Sequence, residues 1–139
     1  MNRTPAATPP SRRAFSREPW GLRFAARANR PAIRLVWFYH AGGTASSLFK
    51  TISFLPLDWE IWVPEYPRRA VAGVRGRSAH FLELTERIAR EAYPFHDDVP
   101  VVLFGHSMGG LVAYEYLRSL PANCHERTIA LIVSCTRSP

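Results

Sequence analysis

Val101 to Gly110 reads VVLFGHSMGG, and its core, Gly105-His106-Ser107-Met108-Gly109, has the residue types and spacing for acyl transfer. A serine hydroxyl can attack an acyl carbon when a sharp turn between a strand and a helix lifts it clear of the backbone. Glycine at both ends permits that turn, because strand and helix then approach too closely for a side chain at Gly105 or Gly109. The N–H of Met108, at the start of the helix, points at the oxygen of any acyl group that Ser107 attacks. The pentapeptide alone is a weak signal. Apolar β-formers before it and a helix-like segment after it supply the required context.

Acyl transfer needs a second oxyanion donor from the loop after an earlier strand. His40-Ala41-Gly42-Gly43 follows an apolar run directly, and the N–H of Ala41 is its natural donor. The general base is harder to place. In this arrangement the acid and then the histidine follow the serine in the chain. After Ser107 come only Glu115, Glu126 and His125, while Asp58, Asp97 and Asp98 all precede it. His40 is expected to shape its own loop, His106 to be a packing residue and His125 to be exposed. His80 and His96 stand alone, so no metal site is expected. Cys124 and Cys135 lack redox or metal spacing and read as reduced thiols of a cytoplasmic protein.

The elements that must position these groups are legible as apolar runs. Ile33–His40 alternates too little to be half-exposed, so it reads as a strand buried on both faces. Ala45–Leu55 is a short helix ending before Pro56. Trp59–Tyr66 is a second strand, with Pro64 marking either an edge position or the strand's end. Ser78, as cap, begins a helix to about Tyr93 with Phe81, Leu84, Ile88 and Ala92 on one face. Val99–Gly105 is the third strand, Met108–Leu120 a central helix, and Arg127–Ser134 a fourth strand. The alternation predicts an α/β fold with an open, mostly parallel sheet of about four strands.

The formal charge of +7 over 139 residues belongs to one segment. Residues 1–34 hold eight arginines against Glu18, whereas residues 35–139 hold ten basic and ten acidic side chains. Residues 1–31 therefore read as a basic, Pro/Arg-rich disordered tail, with the folded domain spanning 32–139. The neutral folded part argues against a nucleic-acid partner. No apolar run reaches the roughly 18 residues of a membrane span, so no membrane partner is expected.

Three blocks carry a resemblance to a known family. They are Phe38-Tyr39-His40-Ala41-Gly42-Gly43 with Ser46 following, Phe104-Gly105-His106-Ser107-Met108-Gly109-Gly110, and Leu131-Ile132-Val133-Ser134 leading to Arg137-Ser138-Pro139. In order and spacing the chain resembles the N-terminal portion of the type II thioesterases of nonribosomal peptide and polyketide biosynthesis, within the α/β-hydrolase superfamily. The resemblance implies Ser107 as nucleophile, with Met108 and Ala41 as backbone oxyanion donors. It also implies hydrolysis of acyl groups from the phosphopantetheine arm of an acyl or peptidyl carrier protein, through an acyl-enzyme and with no cofactor of the enzyme's own.

Two departures from the family follow. Pro67-Arg68-Arg69 stands where the family has Pro-Gly-Arg, and the family's lid and its Asp- and His-bearing segments have no counterpart in these residues. Related domains place the acid just after the last strand, where this chain has Ser134-Cys135. The expectation is a fragment lacking the triad acid and base, inactive and poorly soluble alone, since losing the base costs about 10⁶ in kcat. A carrier-binding remnant without turnover and a general carboxylesterase are the alternatives.

Overall fold

The fold comes from a computed structural model that describes residues 13–66, 77–91 and 97–136, with the side chains of residues 77–80 excepted. Six strands form one sheet in the order β1-β2-β4-β3-β5-β6. They are β1 (Phe15–Glu18), β2 (Gly21–Phe24), β3 (Ile33–Phe38), β4 (Trp59–Pro64), β5 (Val101–His106) and β6 (Thr128–Ser134). β4, β3, β5 and β6 run parallel, and β1 and β2 are joined to β4 as an antiparallel hairpin. The helices are α1 (Phe49–Ile52), α2 (Arg77–Glu91), α3 (Met108–Ser119) and α4 (Ala122–His125), with a 3₁₀ turn over Ala45–Leu48.

The parallel strands are apolar on both faces because both faces are covered. On one side Val36, Phe38, Val101 and Leu103 pack against Leu84 and Ile88 of α2 and Val112, Ala113 and Tyr116 of α3. On the other, Leu22, Leu35, Ile61, Val63 and Val102 pack with Tyr39, Ala45 and Ile52. The four expected strands and the helix after the elbow all form. The segment expected as one helix over Ala45–Leu55 divides into the 3₁₀ turn and α1. Helix α2 begins at Arg77, so Ser78 lies inside it rather than capping it. Pro64 sits at the last residue of β4, which is an interior strand between β2 and β3. Within the described residues β6 is an edge strand, with Ile129, Ile132 and Val133 exposed.

The disordered reading of residues 1–31 needs correction. Its first twelve residues lie outside those described, but residues 15–24 form the β1–β2 hairpin, with Leu22 and Phe24 buried. Among the described residues, arginines that made this segment look like a solvated tail have partners in the body. Arg17 pairs with Glu65 at 2.7 Å, Arg30 with Asp98 at 2.9 Å, and Arg23 Nε donates to Glu60 at 2.6 Å. Arg13 donates to the carbonyl of Leu55 at 2.8 Å and also reaches those of Pro56 and Trp59. The hairpin also brings Trp20 into a stack with Trp62, centroids 4.2 Å apart.

Glu60 is 1% exposed and sits between Arg23 and Arg34, whose Nε donates to it at 2.5 Å. Arg34 also forks onto both carboxylate oxygens of Asp97 at 2.9 Å. Burial opposes the Arg34 charge, but its bonds to Asp97 and Glu60 outweigh that and keep the guanidinium ionised. The hydrogen bonds from Arg34 hold the Asp97 carboxyl below its ordinary value of 3.8.

Two predictions test this architecture. Leu22→Ala should lower unfolding stability by about 3 kcal/mol, as for a buried core leucine, whereas in a disordered tail it would change it by about 0.5 kcal/mol or less. Urea titration decides between them. Because the Asp97 value is depressed on folding, its contribution is present above the unfolded carboxylate value and is lost as pH falls through the folded one. Stability should therefore decline below about pH 4. Asp97→Asn should reduce stability at pH 7 and flatten that acid limb, which denaturant midpoints measured between pH 2 and 7 would show.

Candidate active site

The β3→β4 and β5→β6 connections leave the sheet in opposite directions, so the carboxyl ends of β3 and β5 flank a crevice, the usual position of a site in an open α/β sheet. Phe38 pairs with Gly105 across the two strands, which brings the Tyr39–Gly43 loop beside the His106–Met108 turn. Two of the sequence-predicted blocks, separated by more than sixty residues in the chain, therefore meet at one end of the sheet.

Ser107 occupies the turn between β5 and α3 with φ 55° and ψ −122°, a conformation that L-residues rarely adopt. Such a conformation costs on the order of 1–3 kcal/mol and persists only when its surroundings impose it. Here the Ser107 N–H donates to the Ser134 carbonyl at 2.8 Å, and the Gly110 N–H donates back to the Ser107 carbonyl at 2.9 Å. A Cβ on Gly105 would lie 2.2 Å from the Gly109 carbonyl oxygen, and one on Gly109 would lie 2.2 Å from that of Phe38. Both glycines are thus fixed by backbone against backbone.

Ala41 and Gly42 are exposed in the facing loop. Gly42 has φ 78°, and the Gly43 N–H closes the turn by donating to the His40 carbonyl at 3.1 Å. Among the described residues the Ala41 N–H has no hydrogen-bond acceptor. Met108 is the first residue of α3, where amides lack intrahelical acceptors. Backbone amides without an intramolecular acceptor are the kind of group that can hold the negative oxygen of a tetrahedral acyl adduct.

The chain's sequence profile decides the family. Residues 33–139 match the thioesterase domain. The chain belongs to the thioesterase family. It is 33% identical over 120 residues to the thioesterase PikA5 of Streptomyces venezuelae, a match covering 86% of this chain and 42% of PikA5. Its structure resembles RedJ, the thioesterase from the prodiginine biosynthetic pathway in Streptomyces coelicolor, with TM-score 0.63 and 31% identity over 99% of this chain and 46% of RedJ. It also resembles YbtT, the type II thioesterase from the yersiniabactin NRPS/PKS pathway, with TM-score 0.61 and 26% identity over 83% of this chain and 46% of YbtT. The chain spans less than half the length of the curated relatives it matches.

Within this thioesterase chain the three histidines whose side chains are described each have one ring nitrogen against another group. His106 Nδ1 lies 3.3 Å from Ser134 Oγ, His40 Nδ1 lies 2.8 Å from its neighbour's carbonyl at Ala41, and His125 Nε2 lies 3.2 Å from the Leu120 carbonyl. The His40 and His106 rings meet edge to face at 6.1 Å beside the serine. After the serine, Glu115 pairs with Arg118 at 3.2 Å, and Glu126 is exposed. Cys124 is buried and Cys135 exposed, both as free thiols. Pro67-Arg68-Arg69 and residues 137–139 lie outside the described residues.

No three His, Cys, Asp or Glu side chains gather as for a metal ion, and no helix is long and apolar enough to cross a membrane, among the described residues. A cavity of about 450 Å³ opens beside the hairpin, lined by Phe15, Phe24 and Phe49 with Arg13 and Lys50, and it includes none of the residues around Ser107. Residues that sequence reasoning missed are Ser134, whose carbonyl fixes the elbow, and Tyr66, which reaches the Tyr39 carbonyl. Gly109→Ala should destabilise the fold by about 3 kcal/mol or prevent folding, because the added methyl meets main chain that cannot rotate away. A denaturation midpoint equal to that of the unsubstituted protein would refute this account of the elbow.

Proposed function

We propose that this chain provides the nucleophile and oxyanion hole of a serine thioesterase that removes acyl groups from the phosphopantetheine arm of acyl or peptidyl carrier proteins. The observation that carries the reading is the backbone of Ser107, held at φ 55° and ψ −122° between a buried strand and a helix start. In this reading Ser107 Oγ attacks the thioester carbonyl, and the carbonyl oxygen takes the negative charge against the N–H groups of Met108 and Ala41. Collapse of the adduct breaks the C–S bond, the phosphopantetheine thiol leaves with a proton, and an acyl-serine remains. Water then attacks that ester, releasing the acid and restoring Ser107.

No histidine nitrogen bonds to the Ser107 hydroxyl among the described residues, and in this arrangement the acid and the histidine follow the serine in the chain, so we assign the proton-accepting imidazole and its acid to residues outside those described. The substrate class is supported by the biosynthetic pathways to which the similar proteins RedJ and YbtT belong, and the acyl-serine by the elbow itself. No cofactor enters these steps. We place the reaction in the cytoplasm, a reading supported by two free thiols.

The test uses the intact protein and a carrier loaded with acyl-phosphopantetheine. Thioester hydrolysis should be observed, and Ser107→Ala should lower kcat by on the order of 10⁶ while the carrier still binds. Hydrolysis undiminished by Ser107→Ala would refute the nucleophile. Turnover of simple oxygen esters in preference to the loaded carrier would refute the substrate class.

A further inference from the structure

The loop that carries the Ala41 amide is exposed and short, yet an oxyanion donor must be held still to be useful. Two successive peptide planes precede that amide. The plane between His40 and Ala41 contains the Ala41 N–H itself, and its carbonyl accepts from the Gly43 N–H at 3.1 Å. The plane before it, between Tyr39 and His40, is held from another strand. Tyr66, just beyond β4, donates its hydroxyl to the Tyr39 carbonyl at 3.0 Å, while its N–H donates to the Tyr39 hydroxyl at 2.8 Å.

The two rings stack with centroids 4.2 Å apart and planes 29° from parallel. The Tyr39 carbonyl also lies against α3, where a Cβ built on Gly109 would come within 2.7 Å of it. The carbonyl before the donor loop thus touches both the helix that follows Ser107 and a phenol just beyond the neighbouring strand. Burial pushes the Tyr66 phenol well above its ordinary value, so it remains a donor across the working pH range.

We infer that Tyr66 is a positioning residue for the oxyanion hole, fixing through the Tyr39 carbonyl the peptide planes that aim the Ala41 N–H at the reacting acyl oxygen. The inference rests on the thioesterase reading above. Tyr66 touches no substrate atom in this account. Its effect belongs to the transition state, where the oxygen becomes negative, and it should therefore appear in kcat and spare KM. Full loss of an oxyanion donor costs about 10²–10³ in kcat, and a loosened donor should cost less.

The experiment compares the intact wild-type protein with Tyr66→Phe, Leu22→Ala and Ser107→Ala on an acyl-phosphopantetheinyl carrier, at a temperature below every variant's unfolding transition. Tyr66→Phe keeps the stacked ring and removes only the donor. It should lower kcat about tenfold, equivalent to about 1.4 kcal/mol, with KM within about twofold of wild type. It should also slow phosphonylation of Ser107 by an uncharged fluorophosphonate, in which the Oγ–P bond forms as fluoride leaves and the P=O group uses the same donors. Leu22→Ala, which weakens the fold from the hairpin, should leave kcat unchanged.

Wild-type kcat in Tyr66→Phe, a rise in KM alone, or an equal fall in kcat in Leu22→Ala would each overturn the positioning role. All three outcomes would leave the thioesterase reading intact if Ser107→Ala abolishes turnover. Turnover surviving in Ser107→Ala would instead overturn the thioesterase reading, and the positioning role with it.

Discussion

The carboxyl end of β5 and the first turn of α3 approach so closely that no side chain fits between them, and the rest of the site depends on that approach. Gly105 faces the Gly109 carbonyl, and Gly109 in turn faces the Phe38 and Tyr39 carbonyls at the end of β3. One helix start is therefore wedged against the ends of two adjacent parallel strands. The strand that leads to Ser107 and the strand that leads to the Tyr39–Gly43 loop are brought together through it. Ser107 bridges the junction in a backbone conformation costing about 1–3 kcal/mol, which the contacts on both sides must offset. Part of that support comes from β6, whose last carbonyl accepts the Ser107 N–H. The contacts that hold Ser107 are largely main chain, so they do not depend on side-chain rotamers.

At the opposite end of the sheet the constraint is electrostatic. Arg34 and Glu60 are paired across β3 and β4, and Arg23 from β2 and Asp97 before β5 complete the line. A buried ion pair of this kind contributes little net stability relative to an apolar pair, but breaking it is costly. Its consequence here is register. A slip of one residue would send Arg34 and Glu60 to the other face and leave their charges without partners, beside Leu35 and Ile61. The crevice between β3 and β5 keeps its shape only if those strands keep their alignment, so the charged end helps to hold the catalytic end in place.

These two constraints explain which parts of the protein were legible in the sequence. A parallel strand covered on both faces is apolar along its length, so β3 and β5 were visible as runs, and the Gly-x-Ser-x-Gly spacing named the elbow. The hairpin was not visible, because what holds it is remote. Arg23 finds Glu60 and Arg17 finds Glu65 across 37 and 48 positions. A local charge sum saw eight arginines and no partner for most of them, and read a solvated tail. Tyr66 escaped notice for the same reason. Nothing in the spacing of Tyr39 and Tyr66 shows that they stack, and only the pairing of β3 with β4 makes them neighbours. Pro64 offered two readings, an edge position or a strand end, and the hairpin on its far side leaves the second.

The arrangement separates two tasks that serine hydrolases combine. In the proposed reaction, stabilising the oxyanion depends on backbone amides whose orientation we attribute to the sheet, the elbow and the clamp on Tyr39. Activating the serine depends on an imidazole that must lie within hydrogen-bond reach of its hydroxyl. His106 is next to Ser107 in the chain and its ring meets that of His40, yet the Nδ1 atoms of the two lie against Ser134 Oγ and the Ala41 carbonyl, and neither ring bonds to the Ser107 hydroxyl. The two tasks therefore draw on different parts of the protein. A preorganised hole lowers the barrier for whatever acyl group reaches it, since it contacts only the one oxygen that every thioester shares. Selection among acyl groups must then come from surfaces that touch the chain beyond the carbonyl, while the glycines, Ser107 and the paired tyrosines hold a geometry common to all of them.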